Sequence, residues 1–178
     1  MATTLSIEVL KKYKNEIFCE TGTLWGEAIE VALECGFDKI YSIELDLEKV
    51  ASAKEKFASE IANGTVHILH GDSTLLFPKV IKEFNASATF WLDAHWDGGP
   101  QGEKKCPLLD ELEALVAHPI KTNTLLIDDR RLLGKRKSNW GRDVSEREVT
   151  RCIKRINPDY KIKYEDGFVE DDVIAAYL

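Results

Sequence analysis

Carboxylates, one histidine and a pair of glycines are the residues of this chain whose types and spacing can do chemistry. Asp93-Ala94-His95-Trp96 follows the apolar run ATFWL at 88–92, and Asp128-Asp129-Arg130-Arg131 follows the run TLLI at 124–127. If both runs are neighbouring strands, three carboxylates meet at one sheet edge. Like charges in one place are costly unless a cation compensates, and all-oxygen donors suit Mg²⁺ or a similar hard ion. His95 has a solution pKa near neutral and can take a proton. The plainer readings of these residues are helix capping, loop solvation and loop structure.

A second group of residues lies in 17–46. The β-like run 16–20 ends on Glu20, and Thr21-Gly22-Thr23-Leu24-Trp25-Gly26 makes a turn with two glycines. A helix-like stretch follows at 27–35, with Gly36 as its stop. A second apolar run at 39–43 ends in Glu44. Strand, turn, helix, strand and acid make one βαβ unit able to hold a nucleoside. Gly22 removes a Cβ where backbone must approach a ligand or take positive φ. Gly26 lets the helix start sit close to the strand. Free amides at the helix N-terminus favour negative charge. Glu44 can accept hydrogen bonds from both hydroxyls of a ribose. The spacing E-x-G-x-x-x-G leaves no room for a pyrophosphate, which argues against NAD.

These motifs resemble those of the class I S-adenosylmethionine (SAM) dependent methyltransferases. Glu20-Thr-Gly-Thr-x-x-Gly26 is similar to their first motif, and Glu44 in YSIELD to their ribose-binding acid. In that family an acid–hydroxyl pair like Asp72-Ser73 sits against the adenine; the plainer role of the pair is an N-cap. Leu92-Asp93-x-His95-Trp96 and Leu126-Ile127-Asp128-Asp129 resemble the acidic motifs of metal-dependent small-molecule O-methyltransferases. The resemblance implies Asp93, Asp128 and Asp129 as metal ligands. Catechol-type members place a Lys three residues after the first acid, where this chain has Trp96. His95 is the nearest substitute.

The remaining elements must position these residues. A lead-in helix is expected within 4–14, over the ligand site or the sheet edge. Helices are expected at 47–61, 75–84, from Cys106-Pro107 to His118, and from Ser145 to Ile156, where Ser145-x-x-Glu148 is a capping box. Strands are expected at 65–70, 88–92, 124–127, 160–165 and 172–177, the last two forming an antiparallel hairpin. The expected architecture is α/β: a Rossmann-like doubly wound, mostly parallel sheet with a C-terminal antiparallel hairpin and helices on both faces. The expected extent is a single domain over 1–178. Trp25, Trp96 and Trp140 are candidates to line an acceptor pocket. Arg130 and Arg131 either bind an anionic acceptor or pair with the acids.

Composition bounds the function. A formal net charge of −7 disfavours nucleic acid as the main partner. The four cysteines form no CxxC pair and read as reduced thiols. No run reaches transmembrane length, so a soluble cytoplasmic protein is expected. The expected activity is methyl transfer from SAM to a small-molecule acceptor, an oxygen, assisted by Mg²⁺. His95 and Asp93 are the expected catalytic residues. Glu20, Gly22, Thr23, Gly26, Glu44, Asp72, Ser73 and Asp93 are expected at the cofactor. Competing readings are a SAM-binding protein without methyl transfer, a metal-independent N-methyltransferase, and a metal-dependent hydrolase that leaves Glu44 without a role.

Overall fold

A computed structural model describes residues 3–94, 106–134 and 144–178. The elements in chain order are α1 (Ile7–Lys12), β1 (Ile17–Thr21), α2 (Glu27–Glu34), β2 (Ile40–Glu44), α3 (Leu47–Lys56), α4 (Ala58–Ala62), β3 (Val66–His70), α5 (Ser73–Val80), β4 (Ala88–Leu92), α6 (Leu108–Ala117), β5 (Thr124–Ile127), α7 (Glu146–Ile156), β6 (Lys161–Glu165) and β7 (Val173–Tyr177). The strands form one sheet in the order β3-β2-β1-β4-β5-β7-β6. β7 runs antiparallel to both of its neighbours, β5 and β6, and the other pairings are parallel.

The inner strands are continuous apolar runs because both faces of the sheet are covered. Every residue of β1, β4 and β5 is buried. On one face Leu10, Ile29, Ala32 and Val50 bring α1, α2 and α3 onto Phe18, Trp91 and Leu126. On the other, Phe77, Leu112, Leu115, Val149 and Ile153 bring α5, α6 and α7 onto Cys19, Phe90 and Leu125. The edge strand β6 is half-exposed and carries Lys161 and Lys163, which discourages further strand pairing.

Chain direction around the sheet creates a topological switch point. The chain leaves β1 for β2 and β3 on one side, then returns across β1 to β4 and β5. Ligands of open α/β sheets bind at such a switch point, beyond the carboxyl ends of the strands. Here that point lies between Thr21 of β1 and Leu92 of β4, which are register partners.

Two boundaries differ from the sequence expectation. The helical run at 47–61 breaks at Phe57, whose φ of −107° interrupts the α conformation between α3 and α4. The helix expected from residue 75 begins at Ser73, capped by Asp72, and contains Pro78. The lead-in helix lies within 4–14 as expected, and Tyr13 and Lys12 at its end both hydrogen-bond Glu165 of β6. The Ser145–Glu148 capping box is present. Ser145→Ala is expected to cost about 1 kcal/mol, lowering the thermal midpoint by about 2–4 °C in a calorimetric scan.

Candidate active site

Gly22 is the tightest point of the site. Its φ is +89°, and its amide donates to the Ile43 carbonyl at 2.9 Å. A Cβ at this position would stand 2.9 Å from the Asp93 carbonyl oxygen and 3.2 Å from the Ala94 Cα. The turn therefore lies against the end of β4, and only glycine fits there. Gly26 also takes positive φ, +79°, and its amide donates to the Thr23 carbonyl at 2.8 Å. A Cβ at Gly26 would meet the Phe57 ring at 2.5 Å. Gly26 thus admits Phe57 of the α3–α4 junction rather than a strand, which corrects the sequence expectation. It caps α2 without a side-chain hydrogen bond.

Glu44 ends β2 and is 8 % exposed. Its Oε2 accepts from the Leu24 amide at 2.9 Å and its Oε1 from the Asp46 amide at 2.8 Å. The carboxylate thus holds the turn in place. Leu24 takes φ of +50°, a conformation disfavoured for a leucine. The Gly71 amide donates to the Glu44 carbonyl at 2.8 Å, which brings the end of β3 beside the acid. Asp72 caps α5: its Oδ1 accepts from the Thr74 amide at 3.0 Å and the Thr74 hydroxyl at 2.7 Å. Ser73 is buried next to it.

Glu20 lies behind the turn, fully buried. Ser42 donates to its Oε1 at 2.7 Å and is itself hydrogen-bonded to the Thr23 hydroxyl. Its Oε2 has no partner among the described residues. Burial pushes this carboxyl well above its usual range, and the charges of Asp93 and Glu44 push the same way.

The acids at the β4 and β5 ends continue the ladder. The Asp93 amide donates to the Thr21 carbonyl and the Asp128 amide to the Leu92 carbonyl, both at 3.2 Å. Asp128 is 2 % exposed. Its Oδ2 accepts from the Thr4 hydroxyl, and its Oδ1 has no partner among the described residues. Burial first, then the Asp93 charge, pushes the Asp128 carboxyl up to about 7. Asp129 sits in the left-handed region at φ +59°. Arg131 pairs with both Asp129 and Asp172, and its amide donates to Asp172 Oδ1 at 2.9 Å. Arg130 points elsewhere, to Glu146 at 3.2 Å and over the Tyr164 ring.

The carboxylates that gather within 4.8 Å are Asp128, Asp129 and Asp172. Asp93 stands outside that group, and Asp172 is a member that the sequence reading omits. Asp172 arrives by fold: it precedes β7, whose antiparallel pairing with β5 returns it to the β5 tip. A second omission is Glu111, buried on the core face of α6. Its signal is in the sequence, as an acid on the stripe Leu108, Leu112 and Leu115. The candidate residues His95, Trp96 and Trp140 lie outside the described residues. Trp25 is half exposed at the rim of the turn. The four cysteines are free thiols. No helix among the described residues is long and apolar enough to cross a membrane.

Asp128 has a sign-definite consequence. Its folded pKa lies above its unfolded value, so its contribution to stability is greatest at low pH and is lost as pH rises through about 7. Asp128→Asn should remove that loss. The stability of the variant relative to wild type should rise by about 1 kcal/mol or more between about pH 5 and about pH 8, measured by urea unfolding.

No protein-family model matches this sequence, and no curated protein matches it. Solved structures do match. The methyltransferase PaMTH1 of Podospora anserina, bound to S-adenosylhomocysteine (SAH), superposes with a TM-score of 0.64 at 15 % identity, covering 96 % of this chain and 75 % of that one. An O-methyltransferase of Bacillus cereus in complex with SAH gives 0.61 at 14 % identity, covering 97 % and 78 %. The O-methyltransferase TomG of Streptomyces achromogenes, in complex with SAM, gives 0.60 at 11 % identity, covering 97 % and 77 %. Identity at this level shows the fold alone: a Rossmann-like sheet with a C-terminal antiparallel pair, shared with these methyltransferase structures.

Proposed function

We propose that the protein transfers a methyl group from SAM to the oxygen of a small-molecule acceptor. The observation that carries this reading is the juxtaposition of Gly22 and Glu44 at the switch point. The cradle at Gly22 is one that a Cβ would fill. Beside it a nearly buried carboxylate, oriented by two backbone amides, retains lone pairs for the two hydroxyls of a ribose. The SAM- and SAH-bound neighbours support the same choice of ligand.

SAM supplies a methyl group on a positively charged sulfur. The chain's residues have to hold that cation and an acceptor oxygen in line, which is chiefly positioning. Glu44 orients the nucleoside through its ribose. Asp72 and Ser73, at the start of α5, border the adenine. Gly22, Thr23, Gly26 and Asp93 line the path of the amino-acid portion, with Glu20 supporting Thr23 through Ser42. His95 takes the acceptor proton, and Asp93 stabilises the charge that develops. An acidic site is complementary to a sulfonium and hostile to a phosphate, which agrees with a net charge of −7 and with a small-molecule partner rather than nucleic acid.

The donor set also bears on a divalent cation. All donors are oxygens, and buried Asp128 Oδ1 lacks a partner among the described residues, which fits Mg²⁺. Asp128, Asp129 and Asp172 would hold it, in place of the expected set with Asp93, and it would lower the pKa of the acceptor hydroxyl. Arg131 opposes this, because its guanidinium already neutralises Asp129 and Asp172. That ion pair favours a second reading, metal-independent transfer.

Two titrations test these readings. SAH is expected to bind, and Glu44→Ala to weaken it about 100-fold, the loss of roughly 3 kcal/mol of charge-assisted hydrogen bonding, measured by calorimetry. Unchanged affinity in the variant would contradict the site. Mg²⁺ is expected to bind about tenfold more tightly to Arg131→Gln than to wild type, because a competing charge is gone. Absence of Mg²⁺ binding in both proteins would favour the metal-independent reading.

A further inference from the structure

Each residue of the turn 22–26 has an anchor in the segment 42–57. The Gly22 amide donates to the Ile43 carbonyl, the Thr23 hydroxyl is hydrogen-bonded to Ser42, and the Leu24 amide donates to Glu44. These anchors belong to β2. The anchors of Trp25 and Gly26 come instead from the α3–α4 junction. Lys56 Nζ donates to the Trp25 carbonyl at 3.0 Å, and the buried Phe57 ring fills the space where a Gly26 Cβ would stand. Lys56 Nζ also pairs with Glu30, in the first turn of α2, at 3.0 Å and lies 5.2 Å over the Phe57 ring. One ammonium thus joins the turn, α2 and the junction. The junction itself has no local cause. Helices ordinarily break at Pro or Gly, and the run 47–62 contains neither. The break falls at the very residue whose ring meets Gly26. A departure from a local rule without a local reason marks a position with another task.

We propose that Lys56 and Phe57 are positioning residues of the cofactor turn, the outer half of a clamp whose inner half is Ser42, Ile43 and Glu44. The inference rests on the SAM reading of that turn. Neither residue acts by touching the cofactor. The inner half fixes the turn at Gly22, Thr23 and Leu24. It leaves the Trp25–Gly26 end, which leads into α2, to be held from outside. Lys56 holds that end by its carbonyl, and Phe57 holds it by filling the space that glycine leaves. A ligand that meets an already ordered turn does not have to order it, so affinity rises without a new contact. The two residues differ in what else they do. Lys56 and Glu30 form an exposed pair, and such pairs add little to the stability of a fold. Phe57 is buried in the core cluster with Val50, Ala53 and Ile29, so it serves packing as well as the turn.

The test is SAH titration by calorimetry, with a thermal scan of each protein. Lys56→Met keeps the apolar stem and removes the ammonium. Its SAH affinity should fall about fivefold while its thermal midpoint stays within about 2 °C of wild type. Lys56→Arg keeps a charged donor and should bind SAH within about twofold of wild type. The fit at Gly26 is tested by a cycle. Gly26→Ala should weaken SAH binding about 30-fold in the wild-type background, where the new methyl meets the Phe57 ring. In the Phe57→Leu background it should cost only about fivefold, the remaining penalty of a positive φ for alanine. If Gly26→Ala does not fold, the Lys56 variants decide. Unchanged affinity in Lys56→Met, a loss that Lys56→Arg does not restore, or a loss that comes with a lowered midpoint would overturn this inference alone. So would equal effects of Gly26→Ala in the two backgrounds. Absence of SAH binding in wild type would overturn it together with the functional reading beneath it.

Discussion

The approach of Gly22 to the end of β4 is the constraint on which the site depends. Parallel pairing of β1 with β4 places Thr21 opposite Leu92. The next residue, Gly22, has to turn away where a Cβ would stand 2.9 Å from the Asp93 carbonyl oxygen. That turn leads from the switch point into the start of α2. It also sets Leu24 where its amide reaches Glu44. Each later feature inherits this geometry: the Glu44 carboxylate is held by the turn, and Asp93 is fixed by its amide hydrogen bond to the Thr21 carbonyl. Leu24 is the one residue of this turn whose positive φ is disfavoured; the two glycines take theirs without steric cost.

Electrostatics is the second theme. Glu20, Glu44, Asp93, Glu111, Asp128, Asp129 and Asp172 all lie at or beneath the carboxyl edge of the sheet. Three of them, Glu20, Glu111 and Asp128, are pushed up by burial and share protons with solvent only at raised pH. Arg131 neutralises two more. The edge therefore keeps a negative field without the full repulsion of seven charges. Such a field suits a sulfonium or a hard divalent ion. Arg131 then has a particular standing: it is a built-in cation within a cluster that otherwise invites an external one.

Much of this was legible in the sequence, for physical reasons. The inner strands are apolar on both faces, so their runs stand out, and the glycines mark positions that a Cβ would block. The tips of β2, β4 and β5 follow directly, with Glu44, Asp93 and Asp128 at them. What the sequence hid was non-local. Asp172 joins the acids only because β7 returns antiparallel beside β5. The Thr4 contact with Asp128 needs the chain's start to cross the sheet edge. Gly26 was read against a strand and instead admits Phe57, which depends on where the run at 47–61 breaks. Glu111, by contrast, was visible as an acid among leucines at helical spacing.

The proposed function requires that Glu44 and the Gly22 turn hold a single nucleoside. A crystal structure of the SAH complex tests it most directly. Electron density for the ribose hydroxyls is expected within hydrogen-bonding distance of the Glu44 carboxylate, with the amino-acid portion passing Gly22 toward Asp93. Density for the nucleoside elsewhere on the sheet edge, with the Glu44 oxygens still engaged only by Leu24 and Asp46, would contradict it.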